Sequence, residues 1–378
     1  MEAGAPAANH LSVRIRKSFS GQTAFTLEVD FSAAAGFTIL FGASGAGKTT
    51  LLDCVAGLQR PEAGRIAIGE TALFDSGPGL NLPPNRRSVG YHMQSLALFP
   101  HMTVQQNVQY GLHALPRFQR ERLCGEILEA FRIAGLAGRR PERLSAGERQ
   151  RAALSRTLVT RPRLLLLDEP LTALDAATRS QILDDLRAWN RKQRIPVLYV
   201  THHREEVFAL GDNVIVIEAG RIVAQGLPHE VLQRPQFETV AQLAGFENIF
   251  DCVVLADHPQ QGTMTCRIAG SMLDLEVPLS RVDVTQPLRV GIRAGDILLA
   301  SVAPQGLSAR NVLPGVITAL EQRDVTVTAR VDCGAQFEVH LTPAARQSLH
   351  LAAGQSVWLV IKTYSCHVLQ KTVPPGYE

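Results

Sequence analysis

The stretch from Phe37 to Leu58, FTILFGASGAGKTTLLDCVAGL, constrains the fold more than any other part of the chain. A short apolar run, a glycine-rich segment and a helix-period run follow one another without a break. That order reads as a buried strand, a tight loop and a helix. From Gly42 to Thr49 the residues fit G-x-x-x-x-G-K-[ST], the pattern of a loop whose backbone N–H groups surround phosphate oxygens. Gly42, Gly45 and Gly47 let the backbone turn inward, and the helix N-terminus adds a favourable dipole. Gly42, Ala43, Ser44, Gly45, Ala46, Gly47, Lys48, Thr49 and Thr50 are therefore expected to bind nucleotide. Lys48 would reach the β- and γ-phosphates, and Thr49 would offer its hydroxyl to Mg²⁺.

A second segment, RLLLLDEP (163–170), supplies what a phosphate loop needs beside it. An apolar strand ending in two carboxylates puts Asp168 toward the Mg²⁺ shell and Glu169 where it can act as general base on water. The apolar runs at 37–43, 163–169, 196–202 and 213–220 read as buried parallel strands. The charged amphipathic runs at 148–160 and 179–193 read as helices between them. Alternation of that kind indicates an α/β architecture.

Near residue 240 the texture changes to short alternating strands broken by Gly and Pro, which reads as all-β. A chain of 378 residues exceeds one compact core, so more than one domain is expected. The division reads as a disordered tail at 1–10, an ATPase-type domain at 11–238 and a β domain at 246–378. Within the latter, NIFDCVVLAD from Asn248 is similar to NVLPGVITAL from Asn311, LDLEVPLSRV from Leu273 to AQFEVHLTPA from Ala335, and VGIRAGDILLA (290–300) to LVIKTYSCHVL (359–369). Three blocks in one order suggest two repeats, at about 246–303 and 306–372.

Composition excludes more than it assigns. A net charge of +3 does not argue for nucleic acid as a partner. The six cysteines form no CxxC pair or metal spacing and read as reduced thiols. No apolar run reaches the roughly 18 residues that cross a bilayer, so any membrane association is expected through a partner.

The segment LSAGERQ (144–150) resembles the signature of ABC-transporter ATPases, usually LSGGQRQ or LSGGERQ. In the right order, Gln94 in GYHMQS resembles the Q-loop glutamine, Asp175 in LTALD the D-loop aspartate, and His202 in YVTHHREE the switch histidine. The resemblance covers residues 11 to about 235. It implies a mixed sheet with a helical subdomain, ATP and Mg²⁺ as ligands, and a head-to-tail homodimer. In that arrangement Ser145 and Gly147 of one subunit face the ATP held by the other's phosphate loop. Glu169, His202 and Gln94 carry catalysis, and Thr49, Gln94 and Asp168 serve Mg²⁺. An aromatic residue stacks on adenine in this family, and Phe19 and Phe25 both stand in range. Leu98, Phe99 and Met102 lie where the family meets its membrane subunit. Two departures stand out: Ala146 replaces the second signature glycine, and Met93 precedes the glutamine where Phe is usual.

In the tail, SARNVLPGVI (308–317) resembles the oxyanion-binding Mop segment of molybdate proteins. Together with LFPHMTVQQNVQYGL and VLYVTHHREE, it makes most of the chain similar to the ATPase subunit of molybdate importers. The C-terminal domain would then be a small barrel-like, TOBE-type regulatory domain. Ser308, Arg310, Asn311 and Lys362 are its candidate oxyanion donors, with molybdate or tungstate as regulatory ligand. Permease subunits, an external solute-binding protein and a peripheral location on the cytoplasmic face of the bacterial inner membrane follow from the same resemblance. Import of tungstate, sulfate or an organic solute, a non-transport ABC ATPase and an oxyanion sensor are the competing readings.

Overall fold

The structure is a computed structural model that describes residues 10–20, 25–172, 174–233, 235, 237–280, 288–323 and 325–369. The tail expected at 1–10 lies outside these residues except for His10, as does everything after Leu369. Two compact units divide between Pro228 and His229.

The first unit is built on one mixed sheet. Its strands are β1 (Leu11–Phe19), β2 (Phe25–Ala33), β3 (Gly36–Phe41), β4 (Ala63–Ile68), β5 (Thr71–Asp75) and β6 (Leu80–Asn81). They continue with β7 (Val89–His92), β8 (Leu164–Asp168), β9 (Pro196–Val200), β10 (Asn213–Glu218) and β11 (Arg221–Gly226). The spatial order is β6-β5-β4-β1-β2-β11-β10-β3-β9-β8-β7. The four runs read as buried strands form β3, β8, β9 and β10, which pair in parallel with β7 at the edge. Leu164, Leu165, Leu166 and Leu167 are fully buried, each contributing roughly 2 kcal/mol of hydrophobic burial. An antiparallel arm, β1, β2, β4, β5 and β6, covers the other end of the sheet.

Among the described residues, six α-helices accompany the sheet: α1 (Lys48–Ala56), α2 (Val104–Gln109), α3 (Arg117–Ala130), α4 (Ala146–Leu158), α5 (Ala176–Gln193) and α6 (Arg204–Leu210). α2, α3 and α4 pack on one another as a helical subdomain. Local chemistry sets their starts. Ser145 caps α4 with a reciprocal Ser145–Glu148 capping box, and Asp175 caps α5 by accepting the Thr178 N–H. The C-terminus of α1 is closed by a side chain instead. Arg87, 1% exposed, donates to the carbonyls of Cys54 and Val55 at its end, to Leu82 O and to Asn81 Oδ1. Gly57 has no room for a Cβ there, which would sit 2.5 Å from Arg87 Nε.

The second unit carries α7 (Pro228–Gln233) and α8 (Glu238–Leu243) before its strands. These are β12 (Asn248–His258), β13 (Thr263–Ile268), β14 (Asp274–Pro278), β15 (Leu288–Ile292) and β16 (Leu298–Ala300), then β17 (Asn311–Arg323), β18 (Thr326–Asp332) and β19 (Gln336–Leu341). A short helix, α9 (Pro343–Ser348), leads to β20 (Ser356–Ile361) and β21 (His367–Leu369). Two five-stranded sheets, β14-β13-β12-β15-β21 and β16-β20-β17-β18-β19, enclose one apolar core. Each sheet takes one short strand from the other half of the unit, β21 in the first and β16 in the second. The halves share detail beyond strand order. A register shift falls between Val254 and Ala256 in β12, and at the matching place between Ile317 and Ala319 in β17.

Candidate active site

The phosphate-loop segment leaves β3 at Phe41 and enters α1 at Lys48. Gly47 has φ 103, and a Cβ there would come within 2.7 Å of the Phe25 ring. At Gly42 a Cβ would meet the Ile217 carbonyl oxygen at 2.2 Å. Only glycine allows these approaches. Lys48 Nζ donates to the carbonyls of Gly42 and Ala43 at 2.9 and 2.8 Å. Burial lowers the Lys48 pKa, against the opposing pull of Glu169 and Asp168. Ala46 is buried, and its carbonyl accepts from the Gly220 N–H. Ala43, Ser44, Gly45 and Thr49 are exposed, so the outer face of the loop is open to a ligand.

Two carboxylates close the other side. Thr49 Oγ1 donates to Asp168 Oδ2 at 3.0 Å, joining the first turn of α1 to the end of β8. Burial raises the Asp168 pKa, and the Thr49 hydrogen bond partly offsets it. A hydroxyl and a carboxylate so placed are the oxygen donors a hard cation such as Mg²⁺ takes, so these residues fit the ion. Glu169 has φ 45, an uncommon backbone for a residue with a side chain. Its N–H donates to Val200 O, and its Oε1 stands 3.3 Å from His202 Nδ1. The left-handed turn at Glu169 is what takes its side chain out of the strand's alternation and toward His202. His203 stacks on His202, with ring centroids 4.1 Å apart, and its N–H donates to Thr201 Oγ1.

The structure thus joins Lys48, Thr49, Asp168, Glu169 and His202 into one constellation. Gln94 lies two residues beyond β7 with its side chain exposed. Ser145 and Gly147 sit on another element, the first turn of α4. Ser145 Oγ accepts the Glu148 N–H, and the Ser145 N–H donates to the Glu148 carboxylate. Ala146 is exposed at the first helical position, where a methyl group fits helical geometry. A Cβ on Gly147 would press on Thr178 Cγ2 at 2.7 Å, so the α4 start closely meets the α5 start carrying Asp175. Phe25 packs on the core beside Gly47, whereas Phe19 is 37% exposed with Lys17 Nζ 5.3 Å from its ring centroid.

In the second unit, Ser308, Arg310 and Lys362 are exposed. Asn311 pairs with Ile361 across β17 and β20, so Arg310 and Lys362 flank the end of that ladder. Asn311 is engaged inside the fold. It is 3% exposed, its amide donates to Glu276 O at 2.9 Å, and its carbonyl accepts the Glu276 N–H at 2.7 Å. Its matching residue Asn248 does the same to Glu338, at 2.8 and 2.7 Å. These are reciprocal clamps between the halves, and they engage both the amide and the carbonyl of Asn311 within the fold.

Sequence reasoning missed several groups that matter around the site. Arg87 gives no signal in the sequence, and only its burial and its bonds to Cys54 O and Val55 O show that it caps α1. Arg151 is anchored between Asp185 and Phe131 O, joining α4 to α5. His92, 3% exposed, meets Gln150 of α4 at 2.9 Å, and burial pushes its pKa down to about 4. None of the three carries a motif.

Residues 27–172 match the profile of the ABC transporter family, and residues 307–368 that of the TOBE domain. The molybdenum import ATP-binding protein ModC of Mesorhizobium japonicum is 38% identical over 344 residues, spanning 90% of this chain and 92% of that protein. The chain belongs to the ModC family. ModC of Rhizobium meliloti is 39% identical over 346 residues, covering 90% and 95% of the two chains. For ModC of Rhodospirillum rubrum the figures are 37% over 354 residues, with 91% and 94% covered. Among solved structures, the ATP-binding cassette MJ0796, in a dimeric post-hydrolysis state with ADP and Pi, superposes with a TM-score of 0.51 at 24% identity. It covers 58% of this chain and 98% of its own, a likeness of fold that falls on the ATPase type of unit.

Proposed function

We propose that this chain is the ATP-hydrolysing subunit of a molybdate importer, working as a homodimer beneath separate membrane-spanning permease subunits. The Glu169–His202 pair at 3.3 Å, beside the Thr49–Asp168 hydrogen bond, carries the chemistry of this reading. Kinship with the ModC proteins carries the cargo.

In this mechanism the phosphate loop from Gly42 to Thr50 wraps the triphosphate with backbone N–H groups. Lys48 exchanges its two carbonyl contacts for phosphate oxygens. Thr49 and Asp168, with Gln94 completing the set, would hold Mg²⁺, which would supply positive charge against the phosphates. Glu169 accepts a proton from the attacking water, and His202 beside it contacts the γ-phosphate and helps complete the site. Ser145 and the N–H of Gly147 act on the nucleotide of the second copy, with Asp175 at the same junction. Phe19 is the adenine-stacking residue, because Phe25 is engaged beneath Gly47. No helix among the described residues is long and apolar enough to cross a membrane. Attachment to the cytoplasmic face of the membrane therefore runs through the permease, at Leu98, Phe99 and Met102. An external solute-binding protein delivers the cargo from the other side.

The second unit senses the anion. Ser308, Arg310 and Lys362 are the donors for molybdate or tungstate. The matching positions of the first half are Gly245, Glu247 and Arg293, and Glu247 is already engaged by the Ala294 N–H. An anion is therefore favoured at the second half alone.

Reconstitution with the permease and binding protein tests the whole reading. Molybdate-loaded binding protein should stimulate ATP hydrolysis, and E169Q should abolish it while ATP still binds. Stimulation by sulfate and not molybdate would reassign the cargo, and an E169Q chain at the wild-type rate would remove Glu169 as base.

A further inference from the structure

The end of β7 and the loop that follows it are fastened to α4 at two separated points. At its start, His92 Nε2 meets Gln150 Nε2 at 2.9 Å inside the protein. Further on, Arg156 donates to Ala97 O at 2.7 Å and Leu96 O at 3.2 Å, and its guanidinium lies 5.4 Å from the Phe99 ring centroid. Gln150 and Arg156 are six residues apart on one helix, roughly 9 Å along its axis. Two attachments that far apart resist both sliding and swivelling. A third hold comes from buried Asn107 on α2, which accepts the Phe99 N–H and donates to the carbonyls of Phe99 and Met102. Gln94 lies between the two α4 attachments with its side chain exposed.

We propose that His92 and Arg156 are positioning residues for Gln94, binding its loop to α4 so that the loop and the signature helix move as one body. Neither residue touches the phosphate loop. Their effect is on what they join. The loop carries Gln94 at one end and Leu98 and Phe99 at the other, and α4 begins at Ser145 and Gly147. A displacement of the loop by nucleotide at Gln94, or by the membrane partner at Phe99, is carried by the rod of α4 to the residues that complete the second copy's site. Hydrogen bonds to buried groups have one good geometry, so such a joint transmits a shift and does not absorb it.

The inference rests on Gln94 belonging to the nucleotide site, and Q94A in the same assay tests that assignment separately. The experiment is steady-state ATP hydrolysis by the reconstituted importer with H92F, H92Q and R156M, alongside thermal melting of each chain. H92F keeps the ring and loses the acceptor for Gln150; H92Q restores a side chain that can bond to it. The expected result is that kcat falls about tenfold in H92F, as for loss of one hydrogen bond, and at least as far in R156M, which loses two. KM for ATP should stay within about twofold, and H92Q should recover most of the rate. The proposal is overturned if kcat is unchanged in both variants. It is also overturned if KM rises in step with the loss, or if the loss follows the melting temperature and H92Q does not recover it. Should H92F fail to fold, the half-exposed Arg156 site decides the question alone.

Discussion

Replacing Asn311 by Leu separates a structural asparagine from an anion donor. The side chain makes two backbone hydrogen bonds to Glu276, at 2.9 and 2.7 Å, with the residue 3% exposed. Each such bond contributes about 1 kcal/mol net, and an orphaned backbone group costs a further 1–3 kcal/mol or so. A leucine regains part of this by burial, which leaves a loss of about 3 kcal/mol. Urea unfolding of the full chain measures it. The protein has two tryptophans, Trp189 in α5 and Trp358 in β20, so a W189F background makes Trp358 fluorescence report the second unit alone. With a slope of about 2 kcal/mol per M, the midpoint should fall by roughly 1.5 M. N248L should fall by a similar amount, because Asn248 makes the same pair of bonds to Glu338. A midpoint within about 0.3 M of the parent in both variants would refute the clamp. Loss of molybdate binding by N311L without any loss of stability would return Asn311 to the anion site.

Three further outcomes are expected. R87M removes four hydrogen bonds, two of them to carbonyls at the α1 C-terminus, so the first unit should melt roughly 10 °C lower by calorimetry, at about 3 kcal/mol lost. His92 is held neutral by burial, with its pKa lowered from 6.5 to about 4. The unfolded state then takes up the proton first, so this contribution is complete above pH 6.5 and is lost as pH falls toward 4. Urea midpoints should show roughly 3 kcal/mol of acid destabilisation that H92Q lacks. Calorimetric titration with molybdate should find one site per chain, abolished by R310A and by K362A. Two equivalent sites would mean that Glu247 does not close the first half.

The nucleotide-binding part was legible because its physics is local. A strand, glycines at fixed spacing and a Lys-Thr pair at a helix start leave few alternatives, and the four leucines ahead of Asp168 allow only a buried strand. The engagement of Asn311 was not legible, because a polar residue beside Ser308 and Arg310 looks alike whether it faces solvent or a neighbouring strand. Its partner, Glu276, lies 35 residues away. His92, Arg87 and Arg151 have no pattern of their own, since each acts through groups brought near by packing.

What the sequence determined alone was the chemistry available: a phosphate loop, a carboxylate pair, a signature helix and a tail of two similar halves. Tertiary structure decided which of those groups meet. It set Glu169 against His202 through a left-handed backbone turn, joined Thr49 to Asp168 across 119 residues, and tied the Gln94 loop to α4. It also turned Asn248 and Asn311 inward. The physical reason is that spacing in a chain encodes local geometry, whereas the commitment of a polar side chain depends on which buried backbone groups lack a partner, and only the packed fold creates those.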